Sequence, residues 1–309
     1  MLEIAVMIEG QNGLTWDRWR KIAHEVEDLG FIGLFRSDHF TNANSPDKES
    51  LELWVSLTWL AANTSRIEFG PLVTPFSFRH PVHTARMASA VDDLSGGRMT
   101  LGLGAGWQER EHQLFGFDLL EPKSRFDRFE EGMEVVTRLL QSDDPVTFDG
   151  KYYRLREATL LPRPQRRGGP RILVGGNGGK RTFSSVVRFA DEWNCTLMPP
   201  RKFAEVNARL TEMLIAAGRD PGSVRRSMMT GCVFGKDEAA LKAKVAARGR
   251  TLEEMQQRGT VAGSPSAVRE QLRVLEEAGL QHLMLQWLDL DDLEGLEALA
   301  KTVLQRGHL

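Results

Sequence analysis

Along this chain a short apolar run of strand character gives way to a helical period eight times, and no other feature constrains the fold as much. Short apolar runs with β-branched members read as strands buried on both faces. Apolar residues at three- and four-residue spacing read as helices with one face inward. The strand runs fall at 3–8, 31–36, 66–73, 98–104, 171–174, 192–197, 227–234 and 281–287. Helical periods follow at 16–29, 50–62, 82–94, 124–140, 180–190, 201–217, 238–250 and 293–304, with one more opening at Ser264-Pro265. Several ends carry their own signals. Thr15 suits an N-cap ahead of a face made by Trp16, Trp19, Ile22, Ala23, Val26 and Leu29, and Gly30 suits the close. Ser124 with Asp127 reads as a capping box, and Pro265 follows the Ser264 cap.

Eight such units predict an α/β fold, a (β/α)8 TIM barrel. An open doubly wound sheet is the alternative. Three stretches fall outside the alternation: 107–123, 145–160 and 251–263. The second alternates polar and apolar residues around Asp149-Gly150, a β-hairpin signal. With no linker or internal repeat, a single domain over 1–309 is expected.

Lys and Arg number 40 against 42 Asp and Glu, for a net charge of −2, so there is no field to attract nucleic acid. Cys195 and Cys232 form no motif and suit a reducing cytoplasm. No basic segment leads a long apolar run, so neither a signal peptide nor a membrane span is expected.

The segment Ile172-Leu173-Val174-Gly175-Gly176-Asn177-Gly178-Gly179-Lys180-Arg181 is the clearest ligand signal. An apolar strand ends in glycines and a helix follows. Glycine lets backbone N–H groups approach a ligand, and a helix start offers unpaired N–H groups to an anion. Walker A is excluded because Arg181, not Ser or Thr, follows Lys180, and the dinucleotide fingerprint would put its last glycine at Arg181. A phosphorylated cofactor is expected, against the alternative of a plain glycine-rich turn.

In a barrel the chemistry sits at the carboxyl ends of the strands. That singles out Glu9, Ser37-Asp38-His39, Thr74 to His80, Gly104 to Trp107, Gly175 to Gly179, and Trp287. No His-Glu-x-x-His motif is present and no carboxylate stands at metal-ligand spacing from His80 and His83, so no metal is expected.

These segments carry a resemblance. Ser37-Asp38-His39-Phe40, Thr64-Ser65-Arg66-Ile67, Val73-Thr74-Pro75 and Arg79-His80-Pro81 come first. Leu94-Ser95-Gly96-Gly97-Arg98 and Gly102-Leu103-Gly104-Ala105-Gly106-Trp107 follow. Phe148 to Tyr153, Gly175-Gly176 and Ala190-Asp191-Glu192-Trp193-Asn194 complete the ordered set. Together they resemble the luciferase-like monooxygenase superfamily of flavin and deazaflavin enzymes, and within it the F420-dependent oxidoreductase branch.

The resemblance implies a barrel with the cofactor ring in its mouth. It implies that Asp38 and His39 lie at the ring, with Asp38 fixing the His39 tautomer or bonding the ring. Pro71-Leu72-Val73 then matches a bulge with a non-prolyl cis peptide that backs the ring. Gly104 and Gly106 belong to the same wall, and Gly175, Gly176, Asn177, Gly178 and Gly179 match the phosphate site. His39 is expected as the proton-exchanging group, its plain alternative being a loop cap, and Glu9 as an acid or base. Trp107 is either core or a wall of the ring. Related sugar-phosphate-oxidising F420 enzymes place a Glu where Trp107 stands, which speaks against that substrate class. Glu109, Arg110, Glu111 and His112 read as a solvated helical turn. Lys180, Arg181, Arg201 and Lys202 are phosphate candidates whose plain reading is solvated charge.

The activity so implied is F420-dependent hydride exchange with a small organic substrate. An FMN-dependent monooxygenase using reduced flavin and oxygen is the alternative, and a flavin-binding protein without turnover is a third. A homodimer and a cytoplasmic location are expected.

Overall fold

In the computed structural model, which describes residues 2–304, the first apolar run is strand β1 (Glu3–Ile8). Helix α1 (Trp16–Leu29) follows, with the Thr15 hydroxyl accepting from Arg18 N–H and Gly30 left-handed at φ 95°. The alternation continues through β2 (Gly33–Arg36), α2 (Leu53–Asn63), β3 (Glu68–Pro71), β4 (Thr74–Pro75) and α3 (Pro81–Leu94). Next come β5 (Thr100–Gly104), α4 (Glu109–Phe115), α5 (Pro122–Gln141), β6 (Val146–Asp149) and β7 (Arg154–Ala158). The second half opens with β8 (Arg171–Gly175), α6 (Lys180–Phe189), β9 (Glu192–Thr196), α7 (Pro200–Ala216) and β10 (Arg225–Phe234). It ends with α8 (Glu238–Ala247), α9 (Leu252–Gln257), β11 (Val261–Gly263), α10 (Pro265–Glu277), β12 (His282–Gln286) and α11 (Leu293–Val303).

Parallel pairing runs β3-β2-β1-β12-β10-β9-β8-β5-β4, with β11 added beside β10. A parallel bridge from Phe69 in β3 to Met99, just before β5, closes the ring. β3 and β4 are two parts of one barrel strand, parted by a cis peptide between Leu72 and Val73. Counting them once gives the eight strands of a (β/α)8 barrel, so the open sheet is set aside. The expected hairpin forms from β6 and β7 as a separate antiparallel pair.

Register explains why the strands are apolar throughout. Met7 pairs with Phe35 on one side and Gln286 on the other. Residues in phase with Met7 fill the interior, where Ala5, Phe35, Leu173 and Met284 join it. The alternate residues Val6, Ile8, Leu34, Leu283 and Leu285 pack under the helices. Both faces are therefore buried, as parallel strands require. β3 and β5 run too close for side chains. A Cβ at Gly70 would lie 1.9 Å from Thr100 O, and one at Gly102 would lie 2.1 Å from Pro71 O. Glycine is needed there by approach.

Three local expectations are corrected. α5 starts at Pro122, not Ser124, and no side chain caps it, because a proline at the first position already sets the helical φ. Asp127 is not part of a capping box; it pairs with Arg181 at 2.6 Å. The helical period at 238–250 stops at Ala247, and 251–263 forms α9 and β11. Among the described residues no helix is long and apolar enough to cross a membrane. Of the expected domain 1–309, residues 1 and 305–309 lie outside the described residues.

Candidate active site

The carboxyl ends of the strands enclose a cavity of about 550 Å³ at the barrel mouth. Of the residues expected there, Glu9, Asp38, His39, Leu72, Val73, Gly104, Gly106, Trp107, Gly175, Gly176 and Asn177 line it. Pro71, Gly178 and Gly179 do not. Pro71 lies behind the bulge, its carbonyl against Gly102. Gly178 is buried away from the cavity against α6 and α7, and a Cβ there would meet Val206 at 2.6 Å and Phe183 at 3.0 Å. Gly179 is the N-cap of α6.

The cis bond at Leu72–Val73 lies where the resemblance implied it. It brings Val73 into the cavity wall between two glycines. A Cβ on Gly104 would lie 2.4 Å from Val73 Cγ2, and one on Gly175 would lie 3.1 Å from Val73 Cγ1. Those glycines at the ends of β5 and β8 make room for the bulge.

His39 ends the β2 segment, and its Nδ1 meets Glu111 Oε1 at 2.8 Å. Glu111 is not solvated, as the sequence suggested; it is 1% exposed, and the neighbouring His112 is buried too. α4 turns both side chains inward because its outer contacts fix it to the loop after β2. Arg110 pairs with Asp47 at 2.7 Å, and Gln108 Nε2 donates to Thr41 O at 2.9 Å. His112 is committed at both nitrogens, to Gln108 O at 2.7 Å and Ser77 Oγ at 2.8 Å. Burial opposes protonation of His39, but the Glu111 hydrogen bond and the charges of Glu111, Glu9 and Asp38 outweigh it. The imidazole pKa is raised above its ordinary value.

Asp38 does not fix the His39 tautomer. It is 6% exposed and faces away, accepting from Thr74 Oγ1 at 2.6 Å and Arg79 Nη1 at 2.5 Å. Arg79 also binds Glu52 at 2.9 Å. Glu9 is held by two amides, Gln286 Nε2 at 2.6 Å and Gln11 Nε2 at 2.8 Å. Trp107 is not core; it is 61% exposed, and its ring stands edge-on to His39 at 5.6 Å.

The glycine loop is anchored on β9. Gly176 N–H donates to Asn194 O at 2.8 Å, and Trp193 Nε1 donates to Gly176 O at 2.7 Å. Asn177 bonds both the N–H and the carbonyl of Thr196, at 2.7 and 3.1 Å. α6 has no side-chain cap, and Phe183 N–H to Gly179 O opens its helical bonding. The amides before Phe183 thus have no acceptor within the helix. Arg181 is drawn to α5 by Asp127 and Glu130, while Arg201 and Lys202 turn to Glu205 at 3.7 and 3.3 Å. His80 caps α3 by accepting from Val82 N–H at 3.3 Å. Among the described residues no group of His, Cys, Asp or Glu is placed to hold a metal.

Sequence reasoning missed the roles of Glu111, Gln11 and Gln286, and it singled out Thr74 and Arg79 at a strand end without their pairing to Asp38. The one local signal for Glu111 was its place one helical turn past Trp107, at a strand end already singled out.

This is a (β/α)8 barrel with one glycine-walled mouth cavity, a non-prolyl cis bulge in the wall and, at its rim, a half-buried histidine paired with a buried carboxylate. The chain belongs to the luciferase-like monooxygenase family, whose model matches residues 3–251. It is 30% identical to an F420-dependent glucose-6-phosphate dehydrogenase of Kineococcus radiotolerans, over 70% of this chain and 64% of that protein. It is 28% identical to an FMNH2-dependent dimethylsulfone monooxygenase of Pseudomonas putida, over 61% of this chain and 51% of that one. The chain thus spans less than two thirds of either relative's length. Among solved structures, an F420-dependent secondary alcohol dehydrogenase in complex with an F420–acetone adduct superposes with a TM-score of 0.85. That likeness covers 98% of both chains at 18% identity and speaks to fold. The relatives named include both F420- and FMN-dependent enzymes, the two cofactors expected.

Proposed function

We propose that this protein is an F420-dependent oxidoreductase exchanging a hydride with a small, uncharged alcohol or carbonyl compound. The observation that carries the reading is His39, a titratable group held at the cavity wall beside the bulge and the glycine loop. The residues present fit such a cofactor. Val73 with Gly104 and Gly175 gives a wall free of side chains opposite it, and the uncapped start of α6 suits a phosphate. When bound, the deazaflavin would supply a two-electron hydride carrier. The chain would supply the rest: Met7, Val73 and Met229 exclude water, and Asp38, fixed by Arg79 and Thr74, holds the His39 segment in place. His39 would exchange the proton.

Charge narrows the substrate. Among the described residues no Lys or Arg lines the cavity, while Glu9, Asp38 and Glu111 do. Arg79 and Arg110 nearby are spent on carboxylates. A phosphate monoester would find no cation there, so an uncharged substrate is favoured over a sugar phosphate. The FMNH2-dependent relative favours a second reading, a flavin monooxygenase.

Parallel titration of the apoprotein with F420 and FMN tests the choice, followed by a panel of secondary alcohols, ketones and glucose 6-phosphate. F420 binding with turnover of an uncharged alcohol or ketone is expected. FMN preference with oxygen uptake would overturn it in favour of the monooxygenase, and binding of neither would return the loop to a plain turn.

A further inference from the structure

Glu111 makes two hydrogen bonds to consecutive residues of another segment. Its Oε1 meets His39 Nδ1 at 2.8 Å, and its Oε2 accepts Phe40 N–H at 2.9 Å. The second bond constrains the first. A backbone amide can only donate, so Oε2 is pinned as an acceptor and the carboxylate cannot turn. Oε1, in an ionised carboxylate, also only accepts. His39 must then carry its proton on Nδ1. In the neutral ring the basic nitrogen is therefore Nε2, the one left to the cavity. Trp107 stands edge-on against the ring on another side.

We propose that Glu111 is a positioning residue: it fixes the Nδ1–H tautomer of His39 so that Nε2 takes the hydroxyl proton of the substrate as its carbon gives up hydride. This rests on the oxidoreductase reading above. In the oxidising direction the substrate C–H bond breaks with its electron pair, which leaves as hydride to the oxidised deazaflavin. The O–H proton passes to Nε2, a C=O bond forms, and the reverse reaction returns both. The other charged groups whose fields reach the ring are Glu9 from the end of β1 and Asp38 on the same segment, the latter turned away and neutralised by Arg79. His112 on α4 has both nitrogens committed elsewhere and cannot replace Glu111.

The test is Glu111→Gln, whose outcome the Phe40 amide dictates. The glutamine carbonyl must accept Phe40 N–H, which turns its NH2 toward Nδ1. Nδ1 must then accept, and the ring proton moves to Nε2, the wrong nitrogen for a base.

Long-range 15N–1H spectra of histidine-labelled apoprotein read the tautomer without cofactor. We expect Nδ1–H in the wild type and Nε2–H in the variant, with the imidazole pKa lower by roughly 1–3 units. With cofactor and an alcohol bound, kcat should fall by roughly 10²–10⁴-fold, by analogy with other wrong-tautomer variants, while KM is nearly held. Glu111→Asp, which keeps the charge, should keep Nδ1–H and part of the rate. Unchanged tautomer and titration in Glu111→Gln, or Nε2–H in Glu111→Asp, would overturn the positioning role. A tautomer swap with unchanged kcat would overturn the proton role. A wild type without F420 or FMN turnover would instead count against the oxidoreductase reading, and the tautomer result would stand apart from it.

Discussion

Gly104→Ala is the sharpest test of the cavity wall. The added Cβ would lie 2.4 Å from Val73 Cγ2. Ordinary carbon contacts are about 3.5–4.0 Å, so the two must separate by roughly 1 Å or more. Val73 is β-branched and stiff at χ1, so it cannot rotate clear. Its other methyl already stands against Gly175 and Gly102, 3.1 and 3.3 Å from where Cβ atoms there would be. The open direction is into the cavity. Overpacking of this kind costs about 1–3 kcal/mol. If that cost falls on the surface that receives the ring, it corresponds to roughly a 5- to 150-fold loss of F420 affinity. Gly175→Ala asks for only a few tenths of an ångström and should cost clearly less. Val73→Ala removes the clashing Cγ2 methyl, so Val73→Ala/Gly104→Ala should regain affinity over Gly104→Ala, a coupling of about 0.5–3 kcal/mol. Fluorescence titration and urea unfolding read the two effects separately. Wild-type affinity and stability in Gly104→Ala would refute the packing argument. Lost stability with unchanged affinity would show that the bulge supports the fold but not the ring.

Asp38→Asn should lower stability by about 2 kcal/mol in urea, because half-buried Arg79 loses one of its two carboxylate partners and keeps Glu52 and Thr74; coincident unfolding curves would remove the pair from the stability argument. The raised pKa of His39 makes its contribution pH-dependent. The stabilisation is fully present below the unfolded imidazole pKa, about 6.5, and is lost as pH rises through the higher folded value. The stability difference between wild type and His39→Gln should therefore shrink as pH rises above about 6.5, and a difference that grows would reverse the sign of the argument. Gly176→Val places a Cβ 3.0 Å from Thr182 on a backbone at φ 145°, so F420 affinity should fall by at least about tenfold, and unchanged affinity would detach the loop from phosphate binding.

The barrel was legible because its signal is periodic and repeated. Each strand is apolar at every position, since interior and helix-facing residues are both buried, and each helix shows one face. Thr15, Gly30, Ser264 and Pro265 behave as the sequence implies because capping is local chemistry. The failures are places where a local signal had a rival. Ser124 and Asp127 spell a capping box, but Pro122 starts the helix earlier and Asp127 is more strongly used by Arg181, which is 54 residues away. The segment 66–73 reads as one strand; only its closeness to β5, enforced at Gly70 and Gly102, shows why it breaks and resumes after Val73.

The same division runs through the site. Glu9, His39, Gly104 and Gly175 could be named because a barrel carries the residue after each strand to one mouth. Their partners could not, since Glu111 reaches His39 across 72 residues, Arg79 reaches Asp38 across 41 and Gln286 reaches Glu9 across 277. The consequence is chemical. Where the resemblance would place a Glu this chain has Trp107, and the carboxylate that lines the cavity from α4 is Glu111. That carboxylate is buried and spent on His39 and the Phe40 amide. A substrate in this cavity therefore meets an imidazole backed by a carboxylate rather than the carboxylate itself. The wall beside it is an exposed indole that can pack an uncharged substrate and brings no positive charge to offset an anion. Under the function proposed above, both features favour proton exchange through the imidazole and an uncharged substrate.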